Sequence, residues 1–204
     1  MENIILLGIG GHAHSVVDSI ESDGKYSVCG FLDRKEREGE QYREYKVIGT
    51  DDMLEYYFKK GIKNAFVTVG YLGKGDIRNR LYKQLKEVGF NLPTIVDRTA
   101  VIAKDVVLGE GTFIGKKTVV NSATEIGKMC IINTGAIIEH DCAVKNFSHV
   151  SVGSILCGNV RIGEESFIGA NATVIQGKMI GDKCIIGAGM TIRKNIADNC
   201  LIRV

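Results

Sequence analysis

From Val96 onward the apolar positions of this chain keep a six-residue beat. They are Val96, Ile102, Leu108, Ile114, Val120, Ile126, Ile132, Ile138, Val144, Val150, Leu156, Ile162, Ile168, Val174, Ile180, Ile186 and Ile192. All 17 are Ile, Leu or Val, in a chain that is 45% hydrophobic, and chance yields such a frame about once in a million. Six matches neither the three-to-four spacing of an amphipathic helix nor the alternation of a half-buried strand. It suits a parallel β-helix, where each short strand buries one large residue before the chain turns a corner. Four residues after the beat a small or apolar residue recurs (Thr112, Thr118, Thr124, Cys130, Ala136, Cys142, Ser148, Ser154, Ser166, Ala172), which predicts a second inward position. Lys178 breaks that offset and Met190 strains it. Gly follows the beat directly at Gly109, Gly115, Gly127, Gly163, Gly169, Gly181 and Gly187, where it is expected to supply the torsions of the corners.

The pattern changes before Pro93, the chain's one proline, which sets an expected boundary between domains 1–92 and 93–204. In the first domain, apolar runs over 3–8, 26–32 and 64–69 predict strands. Residues 13–22, 51–60 and 77–88 predict helices, the second capped by Thr50. Alternating strands and helices argue for a parallel α/β sheet. The first turn, Gly8-Ile9-Gly10-Gly11-His12-Ala13, matches G-x-G-x-x-A, and Asp33 stands at the end of the second strand. Glycines there let a backbone approach a phosphate, a helix N-terminus stabilises it, and the acid suits a ribose hydroxyl. Three readings stay open on these residues: a ligand-free tight turn, a mononucleotide or nucleotide-sugar site, and a dinucleotide site. About 90 residues supply roughly one mononucleotide half, which weighs against a NAD-dependent dehydrogenase.

Charge and cysteine content narrow the class. The net charge is +2 with no basic run longer than two residues, so nucleic-acid binding lacks electrostatic support. No apolar stretch approaches the roughly 18–20 residues of a membrane span, and the start lacks the pattern of a secretory signal. Cys130, Cys142 and Cys184 fall at the small inward offset, and the other three cysteines lack zinc spacing. Reduced thiols and a cytoplasmic protein are expected.

Between Val120 and Leu156 the Gly after the beat is lost at every position except Gly127; Asn121, Asn133, Glu139, Lys145, Ser151 and Cys157 stand instead. Departures from an otherwise regular pattern are where function is expected. The stretch carries Glu139-His140-Asp141 and Ser148-His149. Both histidines sit at offsets outside the buried ones, so both are expected outside the core. A carboxylate beside an imidazole fixes its tautomer and raises its basicity, as a general base requires. The bland alternative is a surface histidine in an acidic patch. Two histidines on the solenoid are too few for the three-histidine zinc site of a hexapeptide-repeat carbonic anhydrase.

The hexads, GIGGHA near the start and NTGAIIEHDCAVKNFSHVSVGS over 133–154 together resemble the PglD/NeuD family of sugar acetyltransferases across nearly the whole chain. The resemblance implies a small Rossmann-like domain followed by a left-handed β-helix, a homotrimer, and acetyl-coenzyme A as donor. It implies acetylation of the 4-amine of a UDP-linked amino-dideoxy sugar. O-acetylation of a sialic acid is the runner-up, and a non-catalytic nucleotide-sugar-binding trimer the alternative of another class. By the same resemblance His140 is the general base and Asp141 its orienting acid. Glu139 and Asn133 lie on the substrate side, with Gly8, Gly11, His12, Asp33, Arg34 and Gly70 around the nucleotide. Arg34 replaces the second acid of the family's pair. His149, Gly153, Ala170 and Ala188 are implied at the donor, with Gly153 offering a free backbone N–H to the thioester carbonyl. The G-x-P-A-[KR] segment common in the family is not among these residues.

Overall fold

A computed structural model describes residues 1–73 and 75–203. The chain forms two compact units, one of Met1–Gly70 with Asp76–Ile95, the other of Tyr71–Gly75 with Val96–Val204.

The first unit is built on β1 (Glu2–Leu7), whose Ile4, Ile5, Leu6 and Leu7 are fully buried. A continuous apolar run of this kind marks a strand covered on both faces. It pairs in parallel with β2 (Tyr26–Leu32) on one side and, beyond β3 (Gln41–Tyr42) and β4 (Tyr45–Gly49) in the chain, with β5 (Asn64–Val67) on the other. The sheet order is β3-β4-β2-β1-β5. Helices α1 (Gly11–Asp23), α2 (Leu54–Lys59) and α3 (Ile77–Val88) complete it. Gly24, at φ +72°, ends α1 by donating its N–H to the Ile20 carbonyl, the left-handed cap that glycine takes most cheaply.

The predicted strands and helices are present, with two local differences. The antiparallel β3–β4 hairpin was not legible, because Gln41–Tyr42 is too short to carry an alternation. The Thr50 cap does not form: its hydroxyl bonds the Asp52 carboxylate rather than a backbone N–H. The segment instead opens as a 3-10 turn over Asp51–Met53 before α2 begins.

The second unit is a prism of two-residue parallel strands. Each strand pairs with the third one after it in the chain, as Val119 with Ile137 and Val120 with Ile138. Three beats therefore make one coil, and the strands collect into three sheets of seven, six and five among the described residues. The beats alternate over three faces: Ile114, Ile132 and Val150 on the first, Val120, Ile138 and Leu156 on the second, and Ile126, Val144 and Ile162 on the third. All nine are buried, within a core that extends to Ile196. This is the parallel β-helix expected from the hexads, of the left-handed kind that the family resemblance implies. Polar residues at the inward offset satisfy themselves against the next coil: Thr112 Oγ1 donates to the Gly127 carbonyl at 2.8 Å, and Ser148 Oγ to that of Gly163 at 2.6 Å. Buried hydroxyls must be paired in this way. Cys130 and Cys142 donate Sγ–H to the same kind of carbonyl, each at 3.2 Å.

The pairing also runs past Ile192. Ile180 pairs with Ile196 and Ile186 with Ile202. These partners stand closer in the chain than the three hexads that separate earlier ones, because the last coil is shortened by two positions.

The glycines after the beat play a different part from the expected one. None of the seven has a positive φ; the left-handed torsion falls two residues later, at every beat from Leu108 to Ile186. Nine of those 14 positions are not glycine, among them Lys117, Asp141, Asn159 and Asn171. The post-beat glycines provide room instead. A Cβ at Gly109 would stand 2.4 Å from the Lys128 nitrogen, and one at Gly163 would stand 2.4 Å from the Gly181 carbonyl carbon. The next coil's backbone passes too close for any side chain.

Candidate active site

The three corners of the prism differ, and this changes how the glycine-free stretch is read. The corner after the second face carries no post-beat glycine anywhere: Ala103, Asn121, Glu139, Cys157, Ile175, Arg193. Asn121, Glu139 and Cys157 therefore follow the rule of their face. Asn133, Lys145 and Ser151 are the local departures, on the other two corners.

Glu139, His140 and Asp141 lie on the corner after the second face. Their backbone is held from both neighbouring coils: Asp141 N–H donates to the Ser122 carbonyl at 3.0 Å, and Asn159 N–H donates to the His140 carbonyl at 2.9 Å. Asp141 takes the left-handed torsion at φ +61°, which Asp and Asn tolerate better than most residues. That turn brings its carboxylate back to His140, with Nδ1 and Oδ2 at 2.7 Å. A carboxylate can only accept, so Nδ1 carries a proton and, in the neutral ring, Nε2 holds the lone pair. The hydrogen bond to Asp141, with the charges of Asp141 and Glu139 behind it, raises the His140 pKa above the ordinary imidazole value. Both side chains are more than half exposed, as expected from their hexad offsets. Beside them is an open hollow of about 590 Å³ whose lining includes Glu125, Ala143, Asn159 and Arg161. Arg161 escaped the sequence reading because a lone surface arginine carries no motif.

The positions implied at the donor gather at the corner after the first face. His149 is an outward residue of that face, yet it is 6% exposed, against the expectation of an open site. Its Nδ1 donates to the Tyr71 carbonyl at 2.5 Å, and the Tyr71 hydroxyl donates to the Glu165 carbonyl at 2.7 Å. Asn133 Nδ2 stands 3.4 Å from His149 Nε2, and Asn133 Oδ1 accepts the Thr134 N–H. Gly153 does not offer the free N–H expected of it: that group donates to the Thr134 carbonyl at 2.9 Å. Its left-handed φ of +65° aims the N–H at the coil below. Ala170 and Ala188 stack one coil apart at the same corner, where Gly189 N–H donates to the Ala170 carbonyl. His149 and His140 thus lie on different parts of the prism.

In the first unit, the G-x-G-x-x-A turn closes on Asp33. Its Oδ2 accepts the Ile9 N–H at 2.8 Å and its Oδ1 the Arg34 N–H at 2.7 Å, while Arg37 pairs with it at 3.3 Å. Gly8, at φ +103°, has Val69 so close that a Cβ would meet its Cγ2 at 2.7 Å. Gly10 and Gly11 face open space, and Gly70 lies against His12, whose Cβ is 3.8 Å from where a Gly70 Cβ would stand. The Arg34 side chain is exposed. The turn, Asp33 and Gly70 therefore meet at the C-terminal ends of the parallel strands, with room above Gly10 and Gly11. Among the described residues no group of three potential ligands could hold a metal, and no helix is long and apolar enough to cross a membrane.

Comparison with known proteins agrees with this layout. Residues 3–85 match the PglD N-terminal domain, and residues 105–143 and 159–194 match the hexapeptide repeat of succinyl-transferase. GDP-perosamine N-acetyltransferase from Caulobacter crescentus, solved with CoA and GDP-perosamine, is 31% identical with a TM-score of 0.90, over 98% of this chain and 93% of that one. The acetyltransferase domain of PglB from Neisseria gonorrhoeae, in complex with acetyl coenzyme A, is 30% identical with a TM-score of 0.89, over 98% and 95%. YvoF of Bacillus subtilis is 40% identical over 45 residues, 22% of this chain and 26% of that protein. The likeness to the two solved acetyltransferases runs through both units, and the chain belongs to the PglD/NeuD-like family of acetyl-CoA-dependent sugar acetyltransferases.

Proposed function

We propose that this acetyltransferase acts on the 4-amino group of a nucleotide-linked amino-dideoxy sugar, with His140 as general base. The carrying observation is the His140–Asp141 pair, which reserves Nε2 as the lone-pair nitrogen of the neutral imidazole on a side chain that lines an open hollow. In the transfer the amine nitrogen attacks the acetyl carbon of the thioester, and the C–S bond breaks as the tetrahedral intermediate collapses. The amine's proton passes to His140 Nε2 and then to the departing coenzyme A thiolate. The developing oxyanion needs a donor other than Gly153. Among the described residues the Gly158 N–H has no hydrogen-bond partner, and it lies at the same corner as the imidazole, which suits it to that role.

The surroundings favour an amine over a sialic acid. Around the imidazole the carboxylates Glu125, Glu139 and Asp141 outnumber the one lining cation, Arg161, a balance that attracts an ammonium more than a carboxylate. The nucleotide is read onto Gly8, Gly11, His12, Asp33, Arg34 and Gly70, with UDP as the expected carrier. The Caulobacter relative holds a GDP-sugar, so both carriers enter the test. A homotrimer fits the same reading. The base lies on one corner and the implied donor contacts on another, so a donor touching both calls for a second copy of the prism. Val101 and Val119, with Ile137 and Ile155, form an outward apolar ladder on the second face, and Val101 is 64% exposed.

The test is thiol release from acetyl-coenzyme A against UDP- and GDP-linked amino sugars and free sialic acid, for the parent and His140→Ala. Release with an amino sugar, lost by about 10²–10⁴-fold in the variant, is expected. Release that does not depend on His140 would sink the base assignment.

A further inference from the structure

Gly158 follows His140 by three hexads, one full coil of the prism. It occupies the second position past the beat, the same place in its hexad that His140 holds in its own. From Lys104 to Ala188 that position carries Lys, Glu, Ser, Thr, His, Asn, Val, Ala, Gln or Asp, and glycine only at 158. Its backbone torsion is not left-handed, so conformation gives no reason for glycine. Nor does the next coil: the three nearest atoms a Cβ would meet all belong to the imidazole of His140. Cε1 and Nε2 would stand at 2.7 Å and Cδ2 at 3.4 Å. Corner glycines such as Gly109 and Gly163 meet backbone of the neighbouring coil instead. His140 and Gln176, at the same place in the coils on either side, are exposed, whereas Gly158 is buried.

We propose that Gly158 is a positioning residue for acetyl transfer: its bare Cα is the seat on which the His140 ring lies. The seat and the Asp141 hydrogen bond act on neighbouring parts of the ring, Nδ1 being bonded to Cε1. Asp141 holds Nδ1 from its own coil, and Gly158 admits the Nε2–Cε1 edge over the next one. A methyl at 158 would overlap that edge by more than 0.5 Å relative to ordinary carbon contacts of about 3.5 Å. Two things can yield, the β-helix backbone or an exposed side chain turning about two single bonds, and the side chain is by far the cheaper. The ring swings away, Nδ1 leaves Asp141, and Nε2 leaves the hollow, while the fold stays intact. This role is separate from that of the Gly158 N–H, which alanine retains. It rests on the reading of His140 as the base.

The experiment is a double-mutant cycle of Gly158→Ala and His140→Ala, read by kcat, by melting temperature and by the His140 imidazole pKa from NMR. Gly158→Ala is expected to lower kcat at least tenfold and to leave the KM for acetyl-coenzyme A within about twofold. It should move the His140 pKa down toward the ordinary imidazole value, because the Asp141 contact is lost. In the His140→Ala background the same alanine should cost no further activity. It should also cost no melting temperature there, because the atoms it meets are gone. An unmoved His140 pKa in Gly158→Ala overturns the seat, whatever His140 does chemically. So does a loss of melting temperature or residual activity that is equal in both backgrounds. If His140→Ala keeps full activity while the pKa still moves, the seat stands and the general-base reading falls.

Discussion

Asparagine placed at Gly163 and at Gly135 separates the two reasons a corner can need glycine, torsion and room. Asparagine tolerates the left-handed region, as Asn159 (φ +56°) and Asn171 (φ +54°) already do in this prism, but it carries a Cβ. At Gly163 that atom would stand 2.4 Å from the Gly181 carbonyl carbon and 2.5 Å from the Asp182 nitrogen. Carbon contacts settle near 3.5–4.0 Å, so the next coil would have to retreat by about 1 Å. Two hydrogen bonds cross that gap at 2.8 Å, Gly163 N–H to the Ile180 carbonyl and Glu164 N–H to Asp182 Oδ1. Overpacking costs about 1–3 kcal/mol, and each weakened hydrogen bond adds about 1 kcal/mol. Together these make about 3–5 kcal/mol, and for a chain of this size the result is a drop of roughly 6–20 °C in melting temperature. Gly135 has φ +67° and nothing within 4 Å of its Cβ position, so Gly135→Asn should melt within about 2 °C of the parent. Thermal melts followed by circular dichroism decide it. If Gly163→Asn melts with the parent, or if Gly135→Asn falls as far, room is not what the post-beat glycines provide.

Three further outcomes are expected. Asp141→Asn removes the charge that helps raise the His140 pKa and leaves only a weaker, neutral acceptor for Nδ1–H. The base is active when deprotonated, so rate climbs with pH through that raised value. The acid limb of the kcat profile should therefore shift to lower pH in the variant while the plateau drops tenfold or more; an unmoved limb contradicts the pairing. Leu156→Ala empties a fully buried beat of the second face and should cost about 2–5 kcal/mol in urea unfolding, whereas a cost below about 1 kcal/mol would mean the coils collapse onto the gap. Asp33→Ala takes the acceptor from the N–H groups of Ile9 and Arg34, worth about 1.5–3 kcal/mol when an ion accepts. Nucleotide affinity by calorimetry should weaken about 10–100-fold, and unchanged affinity would detach the turn from ligand binding.

Much of the molecule was legible along the chain because its repeat is one-dimensional. A solenoid coil packs only on its neighbours, so the offset within a hexad is enough to assign Ile138 inward and His140 outward. Strand β1 was equally plain, its unbroken apolar run leaving no polar face to expose. The Asp141–His140 pairing could be read as well, since the partners are adjacent in sequence. The β3–β4 hairpin and the failed Thr50 cap were not, because each turns on contacts that a two-residue strand or a single hydroxyl does not announce.

What escaped the hexad was the inequality of the three corners. Offsets treat all corners alike, but successive coils stack three hexads apart, and each corner then meets its own copies above and below. That stacking takes the Gly153 N–H for the Thr134 carbonyl, while His149 is closed off by Tyr71 from a segment distant in sequence. It also brings Gly158 to the His140 ring and presses Gly163 onto Gly181. Periodicity of side chains is a local property and follows from residue order. The distance between one coil's backbone and the next coil's side chain depends on how the coils settle on each other, and that distance decides which glycine is bare for room and which for the imidazole.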